Sequence, residues 1–159
     1  MTPRTVAVVT GTRAEFGLLT PVMRAIQAHT RLKLQLIVTG IHFVRNRGYT
    51  VNEIRQTGFH IDAEVRVSPP RTSAIGSGYG GHRNALAHMA KGICRIFERH
   101  RPDWLLILGD RWEPYAAACA AYGLGIPIAH MHGGEITGHR QDNSTRDRIS
   151  GFSSLHLAA

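Results

Sequence analysis

Cysteine is almost missing from this chain. Cys94 and Cys119 are the two present, each inside an apolar helical pattern, which argues against a disulfide framework or a thiolate metal cluster and fits buried thiols in a reducing compartment. No apolar run reaches the roughly 18 residues that a membrane span needs, and the opening MTPRTVAVVT lacks an apolar signal region before a strand-like pattern begins. A soluble cytoplasmic protein without a membrane partner is expected. There is no lysine-rich run, zinc-finger spacing or RNA-binding aromatic signature, and arginine is scattered through the chain, so the formal net charge of +8 does not call for nucleic acid as partner. A basic surface attracting a phosphorylated small molecule fits that charge equally well.

What is present has globular composition. The 159 residues are 43% hydrophobic and 19% charged, suited to one ordinary domain. TVAVVT (5–10) reads as a strand ending in Gly11, and Leu18, Leu19, Val22, Met23 and Ile26 then place one apolar face on a helix. LKLQLIVTG (32–40) predicts a second strand, 49–56 a short helical piece, and the alternation of HIDAEVRV (60–67) a strand with one more polar face. SPPRTSAIGSGYGG (68–81) reads as a surface loop leading into a helix that carries Leu86, Met89, Ile93, Ile96 and Phe97. WLLILG (104–109) is nearly continuous in apolar residues, as expected for a strand covered on both faces. A small-residue helix (PYAAACAAYGLG), a strand at 126–131 and a short one in SSLHLA follow. This alternation predicts a doubly wound, Rossmann-like α/β parallel sheet with right-handed crossovers. The chain ends at HLAA just after a strand-like segment, as though cut short.

In an open sheet of this kind, ligands sit beyond the carboxyl ends of the strands. Three loops there are polar: GTRAEFG after the first strand, GDRWEP after the fourth, and AHMHGGEITGHRQD at the fifth. Each also has a plainer reading. Gly11 could be only the tight turn, Glu15 a favourable charge in a first helical turn, and Asp110 a helix N-cap ahead of Pro114. GSGYGG could cradle an anion at a helix start, but lacks the residues of a P-loop. His130 and His132 on one strand would point to the same side, where Glu135 or Asp142 could complete a three-ligand zinc set. Against that, His130 follows apolar IPIA, and Gly133-Gly134 break the strand where a metal site wants rigid support.

GTRAEFGLL, TGIHFVRNRGYTVNEI, RPDWLLILGDRWEPYAAACAAYGLGIPIAHMHGGEITG and DNSTRDRISGFSSLHL, in this order, resemble the amino-terminal half of the hydrolysing UDP-N-acetylglucosamine 2-epimerases of the sialic-acid-pathway type. The resemblance implies a fold like the first domain of a GT-B protein, with residues 1–159 as one Rossmann-like domain and the active site in the cleft to a second. It implies conversion of UDP-N-acetylglucosamine and water to N-acetylmannosamine and UDP, through a glucal intermediate. The expected partner is a UDP-amino sugar, the full-length enzyme is expected to be a homo-oligomer, no metal or other cofactor is implied, and the chain alone is expected to be inactive.

By the same resemblance, Asp110 matches the family's catalytic aspartate and Asp142 a second acidic position, ahead of a helix expected to start near Ser144. His132 and Glu135 complete the expected acid/base group. Gly11, Arg13, Glu15, His42, Arg111, Gly133, Gly134 and Arg146 are the expected substrate-binding positions. Three residues depart from the family pattern: His132 stands where better-known members have a glutamate, Asp147 where a histidine follows the arginine, and Gly151 where lysine is common. Histidine can still exchange protons near neutral pH, and the HxHGGE form marks a bacterial branch that includes enzymes for related amino sugars, such as UDP-diacetamido-trideoxy sugars. A sugar-nucleotide-binding chain without catalysis is the remaining alternative.

Overall fold

The computed structural model describes residues 2–67 and 79–158. Along them run β1 (Arg4–Thr10), α1 (Arg13–Ala28), β2 (Leu32–Val38), a 3₁₀ turn (Gly40–Phe43) and a second one (Arg45–Arg47), then α2 (Val51–Gln56) and β3 (Ala63–Glu64). After these come α3 (Tyr79–Arg99), β4 (Trp104–Leu108), α4 (Trp112–Gly123), β5 (Ile128–Met131), α5 (Arg140–Phe152) and β6 (Leu155–Leu157). The six strands form one sheet in the order β3-β2-β1-β4-β5-β6, and every pairing is parallel. This is the expected doubly wound α/β architecture.

Strand residues alternate between two buried layers, as the period of two requires. Ala7, Val9, Leu105, Ile107 and Ile128 face Ile93 and Phe97 of α3, Ala117 and Ala121 of α4 and Ile149 of α5. Val8, Leu36, Val38, Leu106 and Leu108 face Phe16, Leu19, Met23 and Ile26 of α1 and Val51 and Ile54 of α2. With both faces covered, the central strands read as continuous apolar runs rather than alternating ones. Helix α4 buries Ala116, Ala117, Ala118, Ala120 and Ala121; side chains that small let it lie close to the sheet and its neighbouring helices.

Two elements differ from the sequence reading. The expected strand over 60–67 shrinks to Ala63–Glu64, paired with Ile37 and Val38, because Asp62 replaces part of the ladder: its carboxylate accepts the Leu36 N–H at 2.8 Å, while its own N–H donates to the Leu36 carbonyl at 2.9 Å. Helix α5 begins at Arg140 rather than near Ser144. The segment 68–78, and with it the first half of the GSGYGG stretch, lies outside the described residues.

The strand order decides where the three polar loops go. β1 and β4 are neighbours at the point where the chain's progression across the sheet reverses, and β5 lies next to β4. Parallel strands end at the same edge, so the loops after β1, β4 and β5 share one rim over this crevice, the usual ligand position of an open α/β sheet.

Candidate functional site

Asp110 follows Gly109, whose φ of 78° turns the chain out of β4. It does not cap α4: the N-cap there is Arg111, and no side chain bonds the cap. The Asp110 carboxylate instead receives the Nη2 donor of Arg146. Arg146 is 4% exposed, and its Nη1 donates to the Glu135 main-chain carbonyl and to Asn143 Oδ1 at 3.2 Å. One buried guanidinium thus ties the end of β4 to the loop after β5, a charge-assisted arrangement to which arginine's planar fork is suited.

Strand β5 delivers His130 and stops before His132. His130 is fully buried, with Nε2 at 2.7 Å from the Gly109 carbonyl and Nδ1 at 3.1 Å from Ser150 Oγ. A carbonyl can only accept, so Nε2 carries the hydrogen and Nδ1 of the neutral ring accepts from the serine hydroxyl. Burial lowers the pKa of this ring. His132, by contrast, adopts φ 58°, which ends the strand alternation. The two histidines therefore do not share a face as ligands, contrary to the zinc arrangement considered from sequence. Among the described residues, no group of three His, Cys, Asp or Glu side chains is placed to hold a metal ion.

His132 Nδ1 meets Glu135 Oε1 at 2.5 Å, with the two side chains 41% and 43% exposed. This hydrogen bond holds the Glu135 carboxyl below the usual carboxylate range. The two intervening glycines have different reasons. Gly134 has φ 80°, a backbone that side chains disfavour. Gly133 makes room for the buried pair behind it, since a Cβ there would lie 2.8 Å from His130 Nδ1 and 3.0 Å from Ser150 Oγ.

Asp142 lies in the first turn of α5 and is half-buried. The preceding loop is fastened by Asn143, which accepts from the Thr137 N–H at 2.9 Å and hydroxyl at 3.0 Å and donates to the Thr137 carbonyl at 2.8 Å. A polar pocket of about 520 Å³ opens beside this loop, lined by Thr137, Gly138, Arg140, Asn143, Ser144, Asp147 and Arg148. Asp110 and His132 are not among its lining residues.

Three expected contact residues lie beneath the rim instead of on it. Gly11 is buried, and its N–H donates to Glu15 Oε2 at 2.9 Å. Glu15, 7% exposed, also accepts the Thr12 N–H at 3.1 Å while the Thr12 hydroxyl accepts the Glu15 N–H at 3.2 Å, a reciprocal capping box. His42 is fully buried, with Nε2 at 3.1 Å from Thr10 Oγ1 and Nδ1 at 2.7 Å from Thr50 Oγ1; burial lowers its pKa to about 4. In this arrangement the three shape the crevice from below. Arg13 is exposed and pairs with Glu53 at 2.8 Å, whereas Arg111 reaches the rim half-exposed.

Sequence reasoning missed Asn143, Ser150 and above all Glu113. The Glu113 side chain is 5% exposed and occupies space between two glycines: a Cβ on Gly11 would lie 2.2 Å from its Cγ, and one on Gly40 2.6 Å from its Oε1. Only the pairing of Gly11 with Gly40 hints at this, and it requires knowing that β1 and β2 end side by side.

Comparison with known proteins agrees with this fold. Residues 24–159 match the family model described as UDP-N-acetylglucosamine 2-epimerase. The chain is 37% identical over 156 residues to the UDP-N,N'-diacetylbacillosamine 2-epimerase (hydrolyzing) of Legionella pneumophila, covering 98% of this chain and 40% of that protein. It is 32% identical over 154 residues to the UDP-N-acetylglucosamine 2-epimerase of Neisseria meningitidis, covering 95% of this chain and 38% of that one. The crystal structure of the Neisseria meningitidis UDP-GlcNAc 2-epimerase bound to UDP-GlcNAc superimposes with a TM-score of 0.80 at 21% identity, over 97% of this chain and 40% of that one. The chain thus spans about 40% of the length of such relatives, and it belongs to the UDP-N-acetylglucosamine 2-epimerase family.

Proposed function

We propose that this chain supplies the first of two halves of a hydrolysing UDP-sugar 2-epimerase, with its acid/base groups at the rim of β4 and β5. The observation that carries this reading is the hold of Arg146 on both the Asp110 carboxylate and the Glu135 carbonyl. It fastens the Asp110 carboxylate to the backbone that carries the His132–Glu135 pair, which supports reading these proton-handling groups as one site.

The reaction asks for such a set. Heterolysis of the C1–O bond leaves the electron pair on UDP while a base takes the C2 proton, giving the glucal. Water then adds its oxygen at C1, and an acid returns a proton to C2 on the opposite face. Two groups with different access to the sugar are needed, each near its working pH. His132, exposed and oriented by Glu135, suits one role, and Asp110 or Asp142 the other. Arg111 and Arg13 present positive charge to the diphosphate. Side chains suffice for these proton transfers, so the reading includes no metal or organic cofactor. The whole enzyme in this reading is a cytoplasmic homo-oligomer.

The substrate proposed is UDP-N-acetylglucosamine. A second reading, a UDP-diacetamido-trideoxy sugar, is favoured by the 37% identity to the Legionella pneumophila enzyme named for such a sugar. Turnover of both nucleotide sugars by the full-length protein in heavy water separates the readings. Release of UDP and a free 2-epimer carrying deuterium at C2 is expected. No turnover of either sugar, or a product without deuterium, overturns the proposal. Turnover by the isolated 159-residue chain contradicts the half-site reading.

A further inference from the structure

Beneath the rim, two buried carboxyl groups face one cation. Glu15 comes from the first turn of α1 and Glu113 from the first turn of α4. Glu15 Oε2 is engaged by the Gly11 and Thr12 amides. Its other oxygen, Oε1, and Glu113 Oε2 are buried without a hydrogen-bond partner. Both lie within ion-pair reach of Arg111 Nε, at 3.7 and 3.5 Å. Arg111 is the residue immediately after Asp110, and its side chain is 49% exposed, so it extends from this buried pair to the surface of the crevice.

The amides of the turn after β1 already hold the protein's own carboxylate. The positive charge offered to a ligand here comes from Arg111 instead. Two carboxylates against one guanidinium leave an uncompensated charge in a buried place, which is costly unless one carboxyl keeps its proton. Burial, and next the charge of Glu113, raise the Glu15 pKa to about 7, against the lowering effects of the Gly11 and Thr12 amides and of Arg111. Gly40, from the end of β2, brings no charge. His42 behind it is kept neutral down to about pH 4 by its own burial.

We infer that Glu113 is a positioning residue of the site, which together with Glu15 clamps Arg111 at the rim and sets how much positive charge that rim presents to an anionic ligand. With Glu15 protonated, the three groups sum to zero; with Glu15 ionised, they carry one negative charge next to the diphosphate of a nucleotide sugar. The wedge between Gly11 and Gly40 is what holds Glu113 in place. The clamp is a statement about this chain, whereas its effect on the ligand rests on the UDP-sugar reading above.

The tests keep the two apart. In the 159-residue chain, the Arg111 Nε–H resonance, assigned by its loss in Arg111→Lys, should move in both Glu113→Gln and Glu15→Gln. A protonated-carboxyl infrared band present at pH 6 should disappear by pH 8.5 and be missing in Glu15→Gln. An unmoved Arg111 signal in both variants, or no such band, overturns the clamp whether or not the protein is an epimerase. In the full-length enzyme, KM for UDP-N-acetylglucosamine, whose diphosphate does not titrate in this range, should rise about threefold to tenfold from pH 6 to pH 8.5, with a smaller change in kcat. Glu15→Gln should flatten that rise, and Glu113→Gln, which removes the like charge beside Glu15 and loosens the hold on Arg111, should flatten it too and change KM more than kcat. Variants that lose stability but keep the wild-type KM and pH profile would make Glu113 a packing residue only.

Discussion

Arg146, buried in α5, grips the carboxylate of Asp110 across the sheet edge, 36 residues apart in the chain. The side chains are 5% and 20% exposed, so water screens this pair far less than it screens the Arg13–Glu53 pair at 75% and 47%. Arg146 and Asn143 together hold the loop after β5 against the end of β4.

Removing one partner of such a pair leaves the other buried and uncompensated, which costs about 3–5 kcal/mol. Arg146→Ala should therefore lower the unfolding free energy by several kcal/mol, and Arg146→Lys by less, since the charge remains but the fork that also reaches Glu135 is lost. Urea denaturation of the three proteins measures both. A loss below about 1 kcal/mol in Arg146→Ala would show the pair to be of surface strength.

Gly11 and Glu113 should be energetically coupled. A methyl group at Gly11 would meet Glu113 Cγ at 2.2 Å, so Gly11→Ala should destabilise by about 1–3 kcal/mol through overpacking. Truncating the wedge in Gly11→Ala/Glu113→Ala should return part of that loss. The interaction energy of the double-mutant cycle is the measured quantity, and additivity within about 0.5 kcal/mol would contradict the close approach.

His42 should make acid destabilising. Burial lowers its pKa from 6.5 to about 4, so between these values the folded state binds fewer protons than the unfolded one. Its contribution is fully present above pH 6.5 and lost as pH falls towards 4, about 3 kcal/mol in all. His42→Gln keeps groups able to bond Thr10 and Thr50 but cannot titrate. Its stability should fall less than that of the wild type from pH 7 to pH 4.5, and parallel curves would refute the assignment.

Glu15 should act with the opposite sign. Burial and then Glu113 raise its pKa from 4.5 to about 7, so its stabilising contribution is fully present below pH 4.5 and is lost as pH rises through 7. In the window shared with His42 the two slopes oppose each other, leaving the wild-type curve flatter than either group alone would make it. Stability measured from pH 5 to pH 8 should decline less in Glu15→Gln than in the wild type. An equal or steeper decline would exclude a proton held by Glu15 in the folded state.

The central strands were legible in sequence because burial on both faces writes itself as TVAVVT and WLLILG, and the helices because their apolar residues repeat with the right spacing. β3 was less so: its alternation is real, but Asp62 takes over part of the ladder with a side chain, which no periodicity records. At the site, Asp110, His132 and Glu135 stand out as polar residues at the ends of apolar strands, and the family resemblance gave them their expected roles. Nothing in sequence marks Glu113 out within GDRWEP, and His42 was a ligand contact only by the family resemblance. Their depth is set by Gly11, Gly40, Thr10 and Thr50, residues brought together by strand order rather than by position along the chain.

His132 concentrates this division between stability and function in one residue. A side chain at φ 58° holds a backbone that glycine adopts more readily, and its bond to Glu135 joins two exposed groups, which adds little to folding. His132→Gly should therefore leave stability unchanged or raise it by up to about 1 kcal/mol. On the proposed function, the same change in the full-length protein removes a proton-transfer group and should reduce turnover about 10²–10⁴-fold. His132→Glu, which restores the family's more familiar residue, should retain more activity than His132→Gln, because only the glutamate can still take and return a proton. Stability from urea denaturation and kcat for UDP-N-acetylglucosamine test the two halves of the argument separately. Equal activity in His132→Gln and the wild type would remove His132 from the chemistry, while a large loss of stability in His132→Gly would mean that its side chain contributes more to folding than an exposed bond to Glu135, because glycine keeps the main-chain bond from residue 132 to the Leu157 carbonyl.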